Sequence, residues 1–444
     1  MKRPLVHCIT NSVTSSFVAD TVVAVGGRPI MSEDPDECAF LAQKADMLVV
    51  NLGQLTAAKK QAILAALKAR QFRPWLLDPV GIGYFASRLT FARELLAFKP
   101  SQIRGNASEI WSLATGNPSG SGTDSDLTVL QGSEIPNSIS ESAEVCITQA
   151  GLAVGKRDLC IKDKAEVWHS GGIPIMGEMA GFGCALSAAT AVMQSGSDAL
   201  WAFGLAGRRA SNARFGDFRS AFLSELSIIN REIQAREMLQ FYFVAGPQDC
   251  ADLPEVLERA LISGVTAFQY RPKGVDFPVA LTIGRKLRKL CAQAGVPFIV
   301  NDSLDMALEL DADGLHLGQG DGDVRSARSA LGMQSLIGLS VSSDEHWDSY
   351  VSDCVDYVGL GPFAYTATKR DNRLVLGKKG LVRLKSRLPE VPTVAIGGIG
   401  LDNLSEALSS GVDGIAVVSA ISKASNPEIA ATEICKVIRS HFVN

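Results

Sequence analysis

Short apolar runs, each about a strand long, recur along the chain and alternate with amphipathic stretches. The spacing is most regular from residue 239 onward. There "FYFVAG", "TAFQYR", "PFIVND", "GLHLGQ", "LIGLSV", "YVGLGP", "TVAIGG" and "GIAVVSA" make eight strand candidates. Between them lie segments such as "DLPEVLERALISG" and "PVALTIGRKLRKLCAQAG", with apolar residues at helical spacing. Eight strands alternating with helices predict a (β/α)8 TIM barrel. Nearly every strand ends in a polar or glycine-rich group: Gln269, Arg271, Asn301, Asp302, Gln319, Asp321, Ser340, Thr366, Thr368, Gly397, Gly398 and Ser419. Active sites form at that end of such a barrel.

The first half has a different rhythm. "LVHCIT", "MLVVNLG", "PWLLDPVG", "SQIRGN" and "EVCITQA" are apolar strands with polar or turn residues at their ends. Helical runs such as "AAKKQAILAALKARQ" separate several of them. The pattern predicts a mostly parallel sheet covered by helices. "DLCIKDKAEVWHSGG" alternates and predicts an antiparallel hairpin. Residues 116–144, rich in Gly, Ser, Asp and Pro, read as a mobile loop or lid. "AGFGCALSA" puts a glycine turn ahead of a helical stretch running to about residue 209. The boundaries follow as an α/β domain over 1–230, a helix-prone connector over 231–240 and the barrel over 241–444.

Composition narrows the class. A chain of 444 residues favours two domains, and 46% hydrophobic with 20% charged residues fits sizeable cores. A net charge of −4 argues against a nucleic-acid partner. No apolar run is long enough to span a membrane, and "MKRPLVHCITN" lacks a signal core. The nine cysteines are scattered without a C-x-x-C pair, and the five histidines show no metal-ligand spacing. The expectation is a cytoplasmic enzyme with reduced thiols.

The barrel candidates point to anion chemistry. Asp302 ends one strand and Asp321 follows the next. Neighbouring strands lie about 4.8 Å apart, so the two carboxylates can converge on one Mg²⁺. A strand-end Asp can also simply cap the next helix. Arg271, Lys273 and Lys369 follow strands and can neutralise a diphosphate. The glycine-rich loops after the seventh and eighth strands suit a separate monophosphate.

In their order and spacing, "QYRPK", "VNDSLD", "DGLHLGQGD", "YVGLGPFAYTATKRD", "AIGGI" and "VVSAI" closely resemble the thiamine phosphate synthases, over about residues 240–440. The resemblance implies joining of hydroxymethylpyrimidine diphosphate to a thiazole monophosphate, with release of pyrophosphate. Carried over by position, Gln269, Arg271, Lys273, Asn301, Ser340 and Lys369 bind the pyrimidine diphosphate, with Arg271, Ser340 and Lys369 at the chemistry. Asp302 and Asp321 bind Mg²⁺, while Thr366, Thr368, Gly398, Val418 and Ser419 hold the thiazole phosphate. Two positions depart from the family pattern: Gly320 stands where Glu is usual, and Ser303 where a larger polar residue is common.

In the first half, "DPVGIG" and "RGNASEI" place Asp78, Glu109, Arg104 and Asn106 at strand ends, a constellation suited to a Mg-nucleotide. Taken alone, "NASEI" also reads as a helix N-cap. With "HCITN", "PIMSEDPDE", "VCIT" and the Gly-x-Gly-Cys turn, the segments resemble the hydroxyethylthiazole kinases, a ribokinase-like three-layer α/β fold, over about residues 3–225. That resemblance implies phosphorylation of the thiazole alcohol by ATP, which makes the barrel's own substrate. By position, Met31 and Gly181 contact the thiazole, and Arg104, Asn106 and Thr148 the ATP. Asp78 and Glu109 place Mg²⁺, and Cys184 occupies the position of a catalytic base. Cys184 follows a glycine turn at a predicted helix N-terminus, a setting that lowers a thiol pKa, although a lone cysteine is more often a small core residue. Family members form homotrimers with thiazole sites between subunits, so Met31 is expected to act across an interface. Departures at Ala180, Gln149, Ala150, Tyr84 and Phe85 leave an alternative open, in which the first half binds thiazole or drives assembly without catalysis.

Overall fold

The structure, a computed structural model, describes residues 3–119, 139, 143–151, 157–347, 353–365, 374–388 and 391–442. The chain forms two compact units, Arg3–Asn230 and Arg231–Asn444. Most of the expected loop over 116–144 falls outside the described residues.

The first unit is built on β1 (Leu5–Ile9), β2 (Arg28–Met31), β3 (Met47–Asn51), β4 (Trp75–Asp78), β5 (Gln102–Asn106), β6 (Glu144–Gly151), β7 (Arg157–Lys162) and β8 (Ala165–Ser170). They form one sheet in the order β2-β1-β3-β4-β5-β6-β7-β8. Pairing is parallel through β6 and antiparallel in the β7–β8 hairpin. β3 and β4 are buried along their whole length, which is why they read as unbroken apolar runs. Leu48, Val50, Leu77, Ile103 and Val145 face one core, shared with the helices Pro35–Lys44, Ala57–Arg70, Ala86–Leu95 and Ala107–Thr115. The helices Ser15–Ala24, Phe182–Met193 and Gly196–Arg209 pack on the sheet as well.

Two features differ from the apolar pattern's reading. β2 escapes the apolar pattern because it is a four-residue edge strand containing Pro29, whose missing N–H is tolerated at an edge. The long helix expected up to residue 209 is two helices. Gln194 turns left-handed (φ 53°) after Met193, and the Ser195 hydroxyl caps the next helix by accepting from the Asp198 N–H at 3.2 Å. The helix-prone connector 231–240 continues the helix Phe218–Leu239 almost to β9.

The second unit is a closed ring of eight parallel strands. These are β9 (Phe241–Ala245), β10 (Ala267–Tyr270), β11 (Phe298–Asn301), β12 (Gly314–Leu317), β13 (Leu336–Val341), β14 (Tyr357–Leu360), β15 (Thr393–Ile396) and β16 (Gly414–Val417). All eight strands predicted from the apolar runs are present. Every loop after a strand therefore opens on one face of the ring, which gathers the strand-end residues there. Among the described residues no helix is long and apolar enough to cross a membrane.

Candidate active sites

In the first unit the site grows from the C-terminal ends of β1, β3, β4 and β5. Asp78 ends β4 and is fully buried. Its Oδ2 accepts from Asn51 Nδ2 at 2.7 Å and from the Ser187 hydroxyl at 2.7 Å, while its Oδ1 has no hydrogen-bond partner. Burial raises the Asp78 carboxyl pKa, and the nearby Arg104 guanidinium opposes that rise. Asn51 also reaches the Cys184 thiol at 3.2 Å, and Asn11 reaches the same sulfur at 3.4 Å. One amide thus joins Asp78 to Cys184.

Cys184 lies in the first turn of the helix Phe182–Met193, after Gly181 with φ 98°. A Cβ at Gly181 would sit 2.9 Å from Thr14 Cγ2, so this turn needs glycine on both counts. The expected low thiol pKa is not found. Burial and then the Asp78 carboxylate push the Cys184 thiol up, outweighing Thr14, Arg104 and Asn51. Desolvation and a neighbouring anion both disfavour a thiolate.

Arg104 is buried and donates through Nη2 to Thr148 Oγ1 at 2.9 Å, while its Nε lacks a partner. A Cβ on Gly183 would fall 2.7 Å from Arg104 Nη1, so the missing side chain lets the guanidinium lie against the glycine turn. Asn106 and Glu109 realise the helix-capping reading of "NASEI". The Asn106 side chain accepts from the Glu109 N–H at 2.8 Å, and Glu109 Oε2 accepts from the Asn106 N–H at 2.9 Å. Glu109 Oε1 takes the Gly81 N–H at 2.8 Å, tying "DPVGIG" to "RGNASEI". Burial, then the Asp78 charge, pushes the Glu109 carboxyl up to about 7. Met31 ends the edge strand β2 opposite Cys8 of β1 and is half-buried.

The departures separate cleanly. Tyr84 and Phe85 are exposed, 62% and 51%, with the Arg88 guanidinium 4.5 Å from the Phe85 ring centroid. The Ala180 carbonyl accepts from Arg219 Nη2 at 2.5 Å. The side chains of Gln149 and Ala150 fall outside the described residues. Sequence reading missed Asn51, Ser187 and Lys59. Lys59 is 1% exposed inside an apparently ordinary helical run, and its ammonium donates to the Thr10 and Gly53 carbonyls at 2.6 and 2.9 Å. It therefore clasps the loops that carry Asn11 and Asn51. Their only signal was a polar residue closing an apolar strand.

In the second unit Asp302 follows β11 in the left-handed region (φ 65°), and its N–H donates to the His316 carbonyl at 2.8 Å. The Lys273 ammonium pairs with its carboxylate. Asp321 accepts from the Gly318 N–H at 2.8 Å. Burial, then hydrogen bonding and charge from Asp302, raises the Asp321 carboxyl pKa. Two strand-end carboxylates are therefore close enough to disturb each other, an arrangement a divalent cation relieves. Among the described residues no group of three potential metal ligands occurs, so such a cation would take its remaining ligands from substrate and water.

Arg271 and Lys273 sit on a turn braced by Gln248, a residue the sequence reading passed over. Its Nε2 donates to the Arg271 carbonyl at 2.9 Å, and its Oε1 accepts from the Lys273 N–H at 3.1 Å. Ser303, one of the departures, is a helix cap whose hydroxyl accepts from the Met306 N–H at 3.2 Å. A Cβ at Gly320 would meet nothing within 4 Å, so the other departure leaves the packing untouched. Asn301 ends β11 beside Asp302. Gln269 is buried in the ring, and Ser340 of β13 is half-buried with its hydroxyl 3.0 Å from His316 Nε2. Gly398 (φ 66°) would drive a Cβ to 2.5 Å from the Tyr365 carbonyl oxygen, so the loops after β14 and β15 meet only through a glycine. Val418 and Ser419 open the short helix after β16. Thr366, Thr368 and Lys369 lie outside the described residues.

Residues 1–232 match the hydroxyethylthiazole kinase family, and residues 241–421 match thiamine monophosphate synthase. The "Thiamine biosynthesis bifunctional protein ThiM/ThiE" of Symbiobacterium thermophilum is 34% identical over 99% of this chain and 96% of its own length. A "Thiamine-phosphate synthase" of Bacillus cereus is 38% identical over 45% of this chain and 92% of its own. A solved thiamine phosphate pyrophosphorylase structure from Pyrococcus furiosus is 34% identical, spans 46% of this chain and 98% of that one, and superposes with a TM-score of 0.43.

Proposed function

This chain belongs to the bifunctional ThiM/ThiE family of thiamine biosynthesis, a hydroxyethylthiazole kinase joined to a thiamine monophosphate synthase, and from that premise we propose how its residues divide the two reactions. The first unit phosphorylates hydroxyethylthiazole with ATP. The second joins the resulting thiazole monophosphate to hydroxymethylpyrimidine diphosphate, giving thiamine monophosphate and pyrophosphate. The near full-length relative carries both names, so the alternative of a non-catalytic first half is not favoured.

In the kinase unit, Arg104, Asn106 and Thr148 take the nucleotide and Met31 and Gly181 the thiazole. Phosphoryl transfer is mostly positioning and charge stabilisation, which the glycine turn, its helix N-terminus and Arg104 supply. Mg²⁺, when bound near Asp78 and Glu109, supplies further charge neutralisation. Cys184 keeps its proton at neutral pH and acts as a hydrogen-bonding member of the Asn11–Asn51–Asp78 cluster. Cys184→Ser is therefore expected to keep thiazole phosphorylation within about tenfold of the parent, because an obligatory base would contribute 10²–10⁴-fold. Loss beyond a hundredfold in both Cys184→Ser and Cys184→Asp, measured as ADP release, would make the thiol the base.

In the synthase unit, Gln269, Asn301 and Ser340 hold the pyrimidine, while Arg271, Lys273 and Lys369 draw negative charge off the departing pyrophosphate. Asp302 and Asp321 would hold Mg²⁺, which when bound would supply Lewis acidity to the same leaving group. The C–O bond to the pyrimidine methylene breaks, and the thiazole nitrogen donates its pair to that carbon. Thr366, Thr368, Gly398, Val418 and Ser419 fix the thiazole phosphate so that the nitrogen is in line. No protein base is required, which matches a barrel mouth of cations, carboxylates and amides.

The observation that carries the reading is the pair of polar clusters, one closing the first unit's parallel strands and one at the mouth of the barrel. The test is one pot: pure protein, hydroxyethylthiazole, ATP, Mg²⁺ and pyrimidine diphosphate should yield ADP, pyrophosphate and thiamine monophosphate. Thiamine monophosphate forming only when thiazole monophosphate is supplied would restore the non-catalytic first half. The family resemblance also supports a homotrimer with Met31 at a subunit interface, and nine free cysteines suit a cytoplasmic setting.

A further inference from the structure

The interior of a barrel of this kind is ordinarily filled by branched apolar side chains. Here an unbroken polar chain crosses it. Gln269 Nε2 of β10 donates to the Tyr242 hydroxyl of β9 at 2.9 Å. The Tyr242 and Tyr357 hydroxyls meet at 2.9 Å, although β9 and β14 are not neighbours in the ring. The Tyr357 hydroxyl lies 3.1 Å from His316 Nδ1 of β12, and His316 Nε2 lies 3.0 Å from the Ser340 hydroxyl of β13. Tyr242, Tyr357, His316 and Gln269 are all buried, at 1%, 0%, 7% and 3% exposure.

The backbone is shaped around this chain. Gly338 pairs with His316 on one side and Tyr357 on the other, and a Cβ there would run into both the Tyr357 ring and His316 Nδ1. A Cβ at Gly359 would sit 3.2 Å from His316 Cε1. Burying four polar side chains is costly unless every one is bonded, and here each is.

The chain also has a direction. Gln269 presents its nitrogen inward and Tyr242 accepts from it, which leaves the Tyr242 proton for Tyr357. Tyr357 donating to His316 Nδ1 and His316 Nε2–H donating to Ser340 is then the assignment that satisfies every contact. The Ser340 hydroxyl proton is left for a partner at the barrel mouth, and the Gln269 carbonyl oxygen is left as an acceptor. The raised pKa values of both buried phenols keep them protonated donors.

We propose that His316, Tyr357 and Tyr242 are positioning residues of the synthase reaction: their directed hydrogen-bond chain couples Gln269 to Ser340 and fixes which of the two presents a donor and which an acceptor to the pyrimidine diphosphate. The proposal rests on the assignment of Gln269 and Ser340 to that substrate. It identifies the specificity sought, an aminopyrimidine edge that offers a donor to one side of the site and an acceptor to the other.

The test is a double-mutant cycle on the full chain. Tyr357→Phe keeps the ring and removes the link. It is expected to raise KM for the pyrimidine diphosphate about tenfold, the scale of one hydrogen bond, and to leave KM for thiazole monophosphate unchanged. In a Ser340→Ala background the same change should have little further effect. His316→Gln, whose amide offers one acceptor and one donor side by side, should hold the pyrimidine KM close to the parent, whereas His316→Leu should raise it as Tyr357→Phe does. Equal loss for both substrates, full additivity with Ser340→Ala, or a His316→Gln no better than His316→Leu would reduce the chain to core packing. A parent chain with no synthase activity would overturn the functional reading and the inference together; an active parent with additive effects overturns the inference alone.

Discussion

Asp302→Ala is expected to lower thiamine monophosphate formation by on the order of 10³-fold at saturating Mg²⁺, with supplied thiazole monophosphate. The Asp302 carboxylate sits between the Lys273 ammonium and Asp321. Its removal costs one of two carboxylates for the cation and frees Lys273 to pair with Asp321, so both the metal and the diphosphate lose their seat. The left-handed backbone at Asp302 (φ 65°) complicates an alanine, which disfavours that region. Asp302→Asn resolves this: asparagine tolerates the conformation and has nearly the same size, but carries no charge. Both variants should lose the synthase, and both should phosphorylate hydroxyethylthiazole at the parental rate, because the kinase residues belong to the other compact unit. Near-parental synthase turnover in Asp302→Asn would remove Asp302 from the metal site.

The barrel was legible because its strands are short, parallel and buried on both faces, so each stands out as an apolar run with its chemistry at the end. Asp302, Asp321, Arg271 and Lys273 were singled out that way. The same logic could not distinguish Ser303 as a helix cap from Ser303 as an altered site residue, because a cap shows only in where the Met306 N–H points. Nor could it find Tyr242 and Tyr357. As aromatic residues in strands they read as core, and their hydroxyls meet only because the closed ring turns non-neighbouring β9 and β14 toward the same interior. Cys184 is the reverse case. Its place at a helix start was legible, but the sign of its pKa shift depended on burial and on Asp78, contributed by a distant strand. Asn51 and Lys59 were hidden for the same reason: their partners lie across the sheet or in other loops, at separations no periodicity encodes.

Asp78→Asn is expected to cut hydroxyethylthiazole phosphorylation by on the order of 10²–10³-fold and to leave the synthase on supplied thiazole monophosphate unchanged. The substitution is chosen for what it preserves. An asparagine carbonyl can still accept from Asn51 and from the Ser187 hydroxyl, which reach Asp78 Oδ2 at 2.7 Å each. It also relieves the burial of a carboxylate whose pKa is raised chiefly by desolvation. Thermal unfolding of the first unit should therefore change little, because relief of the buried carboxylate offsets an amide left without an acceptor. The charge is what disappears, and with it the electrostatic counterpart of Arg104 beside the glycine turn. Asp78 Oδ1, which no protein group satisfies, would become an amide that cannot receive a cation or a proton. A loss of activity without a loss of stability separates a catalytic carboxylate from a structural one. If Asp78→Asn instead phosphorylates at close to the parental rate, the Asn51–Asp78–Cys184 cluster serves the sheet, and the transferred phosphoryl group is handled by Arg104 and the glycine turn alone.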